Sequence, residues 1–259
     1  MFLKTFKNNT KLIAFTLAET LIVMGIIGVV AALTLPNLNN STGDKEKVVK
    51  LQKVYSNLND AFGRAVAVYG PVDTWHVNDT KDIPTYTARF GSRLMDFLKV
   101  TKNCSNNANE NCFYNSYYKL TTGSNNLKLD NNTNYYKFIL QDGISVALYR
   151  YLDCYNGYLN NDCVLGWSYV DIDGPNKGSH TFAKDLFEFY ITENGFVPIG
   201  TEDDKMYGNT ADKLNGNCFK TGVHCAGWII KNSNMDYLKA TNGKCPNNVQ
   251  LDWTNTTCN

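Results

Sequence analysis

The chain has 259 residues, and its 25 Lys and Arg residues nearly balance its 24 Asp and Glu residues, which leaves a formal net charge of +1. The lysines are scattered and do not alternate with aromatic residues, as they would in a groove for single-stranded nucleic acid. Composition therefore argues against nucleic-acid binding, because no basic cluster is available to hold phosphates.

The first predicted element is an apolar helix. In residues 16–35, Glu19 is the only ionisable residue, and as a helix this run would span roughly 30 Å, the thickness of a bilayer core. It follows the basic stretch "MFLKTFKNNTKLIA", which the positive-inside rule places on the cytoplasmic side. We therefore expect one transmembrane helix at residues 15–36. A secretory signal peptide is the alternative, but this run is longer than the usual core of about 7 to 15 residues.

Glu19 is the one residue of this run that does not suit a bilayer. A charge deep in the membrane costs about 3 kcal/mol, and such groups usually face a partner. The run itself carries no Lys or Arg. The nearest expected cation is the amino group that cleavage before Phe15 would create, and a neighbouring copy can aim that amine at Glu19 better than the same helix can. The pattern thus predicts packing between copies.

The segment "AFTLAETLIVMGIIGVVAALTLP" resembles the leader junction and first helix of type IV pilins and of the pseudopilins of type II secretion. The resemblance implies that a prepilin peptidase cuts between Ala14 and Phe15 and methylates the new amine. It also implies that Glu19 guides subunit docking and that Pro36 is the proline found at this place in the family. Ala14 is a departure, because the family usually has Gly there.

The same resemblance implies a structural subunit, a minor pilin or a pseudopilin, of a type IV pilus-like or type II secretion filament. Its partners would be other pilin-like subunits, the prepilin peptidase and the inner-membrane assembly platform. It would begin as a single-pass inner-membrane precursor with its head outside the cytoplasm and end in a periplasmic or cell-surface filament. The alternative function is a membrane-anchored extracytoplasmic binding module that works as a monomer.

A second, amphipathic helix is predicted within residues 37–69. Its apolar residues recur at steps of three and four and form a stripe that would pack on a head domain. The stripe consists of Val48, Leu51, Val54, Tyr55, Leu58, Ala61, Phe62, Ala65, Val66 and Tyr69. Between the two helices, the stretch "PNLNNSTGD" contains Pro36, Gly43 and several Asn residues, which predict a kink or a melted segment.

Residues 70–259 are long enough for one globular head with its own core. From residue 136 the apolar pattern has a period of two in "YKFIL", "ISVALYRY", "GWSYVDI", "LFEFYIT" and "FVPIG", and these segments predict an antiparallel meander. The expected fold class is therefore α+β. A long N-terminal helix, half transmembrane and half amphipathic, would pack on an antiparallel sheet with disulfide-tied loops.

All eight cysteines lie beyond residue 100, and an even count in an exported domain predicts disulfides. Zinc is the competing interpretation, but no C-x-x-C pair occurs and the gaps do not match a zinc ribbon or finger. Eight cysteines allow on the order of 100 connectivities. Because the four short gaps lie in loop-like segments, we expect local pairs: Cys104 with Cys112, Cys154 with Cys163, Cys218 with Cys225, and Cys245 with Cys258.

The stretch "VDIDGPNKGSHTFAKDLFEFYITENGFVPIG" is similar to a segment of many pilin-like and pseudopilin heads, some of which bind calcium. The resemblance makes calcium the one candidate cofactor. Calcium takes about six to eight oxygen ligands, and the candidates here are Asp171, Asp173, Asn176 and Asp185. The alternative is that these side chains satisfy turn backbone, which the lack of EF-hand spacing favours.

For catalysis the sequence offers little. The three histidines, His76, His180 and His224, suit surface positions, and neither G-x-S-x-G nor H-E-x-x-H occurs. Ser179 and His180 are adjacent, and adjacency does not specify a nucleophile and its base. We therefore expect no enzymatic activity and assign no catalytic residue.

Overall fold

The computed structural model describes residues 17–75, 82–159 and 163–258, with the side chains of residues 31–42 and 152 outside this description. The chain divides into two compact units, Met1–Gly43 and Asp44–Asn259. The helices are α1 Leu17–Tyr69, α2 Ile83–Met95, α3 Ala211–Leu214 and α4 Ala226–Asn232. The strands are β1 Val100–Ser105, β2 Tyr118–Lys119, β3 Asn125–Leu127, β4 Tyr136–Leu140, β5 Ser145–Tyr155, β6 Val164–Asp171, β7 Leu186–Thr192 and β8 Gly195–Pro198.

The expected transmembrane half of the first helix is not found. Among the described residues, no helix is long and apolar enough to cross a membrane, so this part of the predicted fold is wrong. The apolar part of α1 with described side chains runs from residue 17 to residue 30.

The stretch "PNLNNSTGD" is not melted. The backbone of α1 is helical across it, although a proline inside a helix costs about 3 kcal/mol. The compact head unit begins at Asp44 and therefore includes the last part of α1. The buried residues in that part of α1 can offset the cost of the proline.

The apolar stripe predicted for the second half of α1 packs on the sheet. Its fully buried members are Leu51, Val54, Leu58, Ala61 and Ala65. Tyr55 stacks on Phe189 of β7, with ring centroids 5.7 Å apart. Full burial of a Leu or Val side chain contributes about 1.5–3 kcal/mol, so the stripe anchors this part of α1 on the head.

Asn59 joins α1 to the edge strand β8. Its Oδ1 accepts a hydrogen bond from the Phe196 amide at 2.9 Å, and its Nδ2 donates to the Phe196 carbonyl at 3.3 Å. A Cβ at Gly195 would lie 2.4 Å from Asn59 Oδ1, so the strand can approach only because residue 195 is glycine. The side chain thereby satisfies backbone groups at the edge of the sheet.

The head contains a six-stranded sheet with the order β1-β4-β5-β6-β7-β8, and every neighbouring pair in it is antiparallel. Strands β4 to β8 are neighbours both in sequence and in space, as the period-two pattern predicts. Strands β2 and β3 form a separate two-stranded ribbon. The fold class is α+β with an antiparallel sheet and four disulfides.

Two further clusters pack on the side of the sheet that faces away from α1. Phe113 and Tyr118 contact the cluster that includes Ala147 of β5. Leu159 and Tyr190 belong to the other cluster. Side chains alternate between the two faces of a strand. Strand residues that alternate with those packed on α1 therefore supply these two clusters. The loop between β1 and β4 is thus part of the packed head.

Candidate functional site

Residues 17–30 of α1 are apolar on every side of the helix, and we name them the apolar segment. Every residue of the segment is exposed. Its large apolar side chains are each at least 53 % exposed, and they are Leu17, Leu21, Ile22, Val23, Met24, Ile26, Ile27, Val29 and Val30. Successive residues of a helix point about 100° apart, so residues 21–24 alone face four directions. A helix at the surface of a folded domain usually confines such residues to one stripe.

Two glycines create a shallow strip on the apolar segment. Apart from adjacent residues of the same helix, no described atom lies within 4 Å of the place where a Cβ would stand at Gly25 or Gly28. Residues three apart are neighbours on a helix surface, so another backbone can approach closely here. Glu19 is the only ionisable residue of the segment. The segment therefore offers apolar contact area with a single charged group near its start.

The residues assigned to processing and assembly are only partly described. Ala14 and Phe15 lie outside the described residues. Glu19 lies in the first turn of α1. Pro36 lies within α1, and its side chain is outside the description. The cleavage, methylation and docking roles stay predictions.

The eight cysteines form four disulfides, each between cysteines that are neighbours in the sequence. The bonds are Cys104–Cys112, Cys154–Cys163, Cys218–Cys225 and Cys245–Cys258. They are the same four pairs that the short gaps predict. Because each bond closes a short loop, each restrains local structure rather than joining distant parts of the head.

The four candidate calcium ligands are not gathered at one place. Asp173 and Asp185 both contact Lys47, whereas Asp171 binds Tyr118 and backbone amides. Asn176 is exposed in the loop. Within the described residues, no group of three or more His, Cys, Asp or Glu side chains is placed to hold a metal ion.

Asp185 is held by a lysine from α1 and by its own loop. Lys47 Nζ donates to Asp185 Oδ1 at 2.7 Å and to the Lys184 carbonyl at 3.0 Å. The other carboxylate oxygen accepts from the amide and the hydroxyl of Ser179, both at 2.6 Å. Burial disfavours both charges, but the hydrogen bond and attraction between them dominate. The pKa of Asp185 is therefore lowered, and the pKa of Lys47 is raised.

Asp173 lies between two lysines of the same helix. Its Oδ2 is 3.5 Å from Lys47 Nζ, and its Oδ1 is 3.2 Å from Lys50 Nζ. Lys50 also contacts Glu46 one turn earlier in α1, at 3.1 Å. The two ammonium groups thus face the two carboxylates of the loop, and the pairing fixes the loop against α1.

Asp171 closes the turn that follows β6. Its Oδ1 accepts hydrogen bonds from the amides of Asp173 at 3.1 Å and Gly174 at 3.0 Å. A side-chain oxygen that satisfies backbone amides two and three residues ahead is the usual role of Asp in a turn. Asp171 therefore satisfies turn backbone, which is the alternative to calcium binding for this residue.

The two histidines within the described residues are partly buried, so the expected surface positions are wrong for them. His224 Nδ1 lies 2.8 Å from Glu188 Oε2, and the His224 amide donates to the same oxygen at 2.7 Å. The ring of His224 stacks on Tyr207 with centroids 3.9 Å apart. The ring of His180 stacks on Tyr114 at 3.8 Å. These contacts give both rings a packing role in the head.

No sequence motif indicates the partners of the loop carboxylates. Lys47 and Lys50 are three residues apart, so they share one face of α1. That spacing and the nearby Asp-rich loop were the only signals available in the sequence. Asp185 lies 138 positions from Lys47, and no local pattern connects residues that far apart. Compared with known proteins, the chain matches no family model, no curated protein and no solved structure.

Proposed function

We propose that this chain is a structural subunit, a minor pilin or a pseudopilin, of a type IV pilus-like or type II secretion filament. Its apolar segment is the surface through which subunits assemble. The observation that carries the proposal is the exposure of large apolar side chains all round residues 17–30. The proposed role is structural and includes no catalytic step.

The arrangement of the apolar side chains favours a polymer over a simple dimer. Full burial of one Val, Leu, Ile or Met side chain gains about 1.5–3 kcal/mol, so nine exposed ones favour association strongly. A two-fold partner would cover one side of the helix and leave the others in water. Head-to-tail contacts that do not close generate helical filaments, in which each helix is surrounded by several neighbours. Several neighbouring subunits can bury every side of a helix that has no polar side.

Two further observations support the proposal. The leader junction at Ala14 and Phe15, with Glu19 at the fifth position after it, resembles the processing and docking site of pilin-like proteins. The four disulfides suit an oxidising compartment, in keeping with a filament in the periplasm or at the cell surface. The expected partners are other pilin-like subunits, a prepilin peptidase and an inner-membrane assembly platform.

A matched pair of substitutions tests the assembly surface. Val29 in the apolar segment and Val49 in the head unit both lie on α1, and they are 61 % and 62 % exposed. Each is changed to Lys in the full chain, in cells that make a prepilin peptidase and an assembly platform. Filaments are sheared from the cells and sedimented, and the chain is quantified in the pellet. We expect Val29→Lys to remove the chain from the pellet, because a charge cannot be buried between apolar helices at low cost.

Val49→Lys should enter the pellet at the wild-type level, since this residue lies outside the apolar segment. Circular dichroism of both variants checks that the head is folded. If Val29→Lys sediments like the wild type, the apolar segment is not the assembly surface. If the wild type itself never enters the sheared fraction and behaves as a monomer, the proposal gives way to the monomeric binding module.

A further inference from the structure

The carboxylates of Asp173 and Asp185 converge in one corner of the head, below the loop that follows β6. A Cβ placed at Gly178 would lie 2.9 Å from Asp185 Cγ and 3.1 Å from Asp173 Oδ2. Gly178 has φ +83°, a backbone conformation that favours glycine. The absence of a side chain also lets its backbone approach the two carboxylates closely. Two negative charges brought this close require positive charge beside them.

The position between the carboxylates belongs to Lys47. Its Nζ has three oxygen neighbours: Asp185 Oδ1 at 2.7 Å, the Lys184 carbonyl at 3.0 Å and Asp173 Oδ2 at 3.5 Å. Lys50 Nζ completes the group from one turn further along α1, at 3.2 Å from Asp173 Oδ1. The Lys47 ammonium is thus surrounded by oxygens as a bound cation would be. The Lys50 ammonium pairs with the other oxygen of Asp173.

The residues present do not fit calcium in addition to these lysines. Calcium needs about six to eight oxygens, and two carboxylates with one carbonyl supply only part of such a shell. Asp185 Oδ2 is already engaged by Ser179, and Asp171 by Tyr118 and the turn amides. Two lysines carry the same charge of about +2 as one calcium ion. Their ammonium groups already face the carboxylates of Asp173 and Asp185, and Lys50 also pairs with Glu46.

We propose that Lys47 and Lys50 are the built-in cations of the loop between residues 171 and 185, and that they take the place calcium would otherwise hold. The loop therefore keeps its form without a divalent cation. The same lysines also join the loop to α1, so the cation that shapes the loop is covalently part of the helix. Removing both ammonium groups leaves a site with carboxylates that calcium can enter.

The test compares the wild type with Lys47→Met/Lys50→Met. Calcium binding is measured by isothermal titration calorimetry, and Tm is measured in EDTA and in about 10 mM CaCl₂, with MgCl₂ as a control for ionic strength. For the wild type we expect no binding heat and a Tm that changes by less than about 1 °C. For the double variant we expect a Kd of about 10⁻⁴–10⁻³ M and a rise in Tm of about 3–8 °C.

Lys53→Met is the matched control, because Lys53 lies on the same helix but pairs with the exposed turn residue Asp142 at 3.1 Å. Its Tm should not respond to calcium. Lys47→Gln is the second variant, since it removes one charge and keeps a hydrogen-bond donor, and its Tm should rise with calcium. Stoichiometric calcium binding by the wild type overturns the proposal. So does a folded Lys47→Gln or Lys47→Met/Lys50→Met variant whose Tm is the same in EDTA and in calcium.

Discussion

The hydroxyl of Tyr118 donates a hydrogen bond to Oδ2 of Asp171 in the interior of the head, over an O–O distance of 2.5 Å. Both residues are fully buried. Tyr118 belongs to the β2–β3 ribbon and Asp171 ends β6, so this bond ties the ribbon to the six-stranded sheet. The amides of Asp173 and Gly174 hold the other carboxylate oxygen.

Burial raises the pKa of Asp171 to about 7, although the hydrogen bonds from Tyr118 and the turn amides favour the charged form. The ordinary value is 3.8. Between about pH 4 and pH 7 the folded protein therefore binds more protons than the unfolded chain, and this group makes stability fall as pH rises. We expect Asp171→Asn to remove that slope, which integrates to about 4 kcal/mol across the window. Urea unfolding at several pH values measures it.

The quantity to compare is the free energy of unfolding of the wild type minus that of Asp171→Asn. This difference should become less favourable to the wild type as pH rises from about 4 to 7. Asp142→Asn, at an exposed turn, is the control and should leave the wild-type slope in place. A difference that stays constant or moves the other way contradicts the assigned burial of the charge.

Lys137 is a buried lysine that organises the loop between β3 and β4. Its Nζ donates to the carbonyls of Asp130 at 2.8 Å and Asn132 at 2.9 Å, and a third carbonyl lies at 3.4 Å. Lys137→Met removes these donors while keeping an apolar stem, so the carbonyls lose their partner. We expect a loss of about 2–4 kcal/mol in the free energy of unfolding, measured in urea.

Hydrogen exchange should locate the effect of this change, with faster exchange in the loop from residue 106 to residue 134. Lys119→Met is the control, because Lys119 is an exposed lysine on β2 and its replacement should change stability by less than about 0.5 kcal/mol. Equal stabilities for the two variants would show that the Lys137 ammonium has no structural role.

The elements predicted correctly are those that a local periodicity of apolar residues indicates. The stripe of α1 after residue 44 and strands β4 to β8 follow helical and alternating periods, and burial of one face selects them. The transmembrane prediction was wrong, since no helix among the described residues is long and apolar enough to cross a membrane. Helices α3 and α4 were not predicted, since each is too short to display a period.

The four disulfides differ in what their removal should cost. Cys104–Cys112 and Cys154–Cys163 close loops of nearly equal length, with sequence separations of 8 and 9, so loop entropy contributes about 2–3 kcal/mol to each. Cys104 and Cys112 are also buried, whereas Cys154 is exposed. Replacing the buried pair by Ala should therefore destabilise the head more than replacing Cys154 and Cys163, as measured by urea unfolding without reductant.

Non-reducing peptide mapping of the wild type is the companion measurement. We expect four local bonds and no free thiol in protein from an oxidising compartment. Two or more unpaired cysteines, or a bond between different local pairs, would reject the framework.

Gly200 and Gly123 test close packing separately from backbone strain. Both have positive φ, +81° and +89°, so Ala costs about 1–2 kcal/mol of strain at either position. A Cβ at Gly200 would lie 1.9 Å from the His224 carbonyl oxygen, whereas at Gly123 no described atom beyond the adjacent residues lies within 4 Å. We expect Gly200→Ala to lose about 4 kcal/mol or more and Gly123→Ala only the strain, by thermal unfolding. Similar losses would contradict the close contact at residue 200.

The site was harder to predict than the fold, because its pairs are distant in sequence. The disulfides could be predicted because each partner is near in the chain. The pairing of Lys47 with Asp185 could not be predicted. The sequence around a lysine between apolar helix positions is the same whether its ammonium group lies in water or binds a carboxylate. Tyr118 and Asp171 had the same difficulty, as both stand in segments whose contact depends on the whole fold.

The last prediction concerns Glu19, the only ionisable residue of the apolar segment. In the proposed filament it receives the terminal amine of a neighbouring subunit, at the position of Phe15. Glu19→Gln keeps the size of the side chain and removes its charge, so the incoming amine would be buried without a counter-charge. Such a loss costs about 3–5 kcal/mol at an interface, which corresponds to more than a hundredfold weaker docking. We expect the variant head to fold and the leader to be removed, while the chain disappears from sheared filaments.

Three measurements separate processing, folding and docking of the Glu19 variant. Amino-terminal sequencing follows cleavage before Phe15, circular dichroism follows the head, and sedimentation of sheared material follows assembly. Glu46→Gln is the matched control, since Glu46 is another exposed glutamate on α1 and pairs with Lys50 at 3.1 Å. It should sediment like the wild type. If Glu19→Gln also sediments at the wild-type level, in cells that make no other copy of the chain, the carboxylate does not guide docking. Apolar contact would then have to drive assembly alone, which the Val29 and Val49 variants test independently.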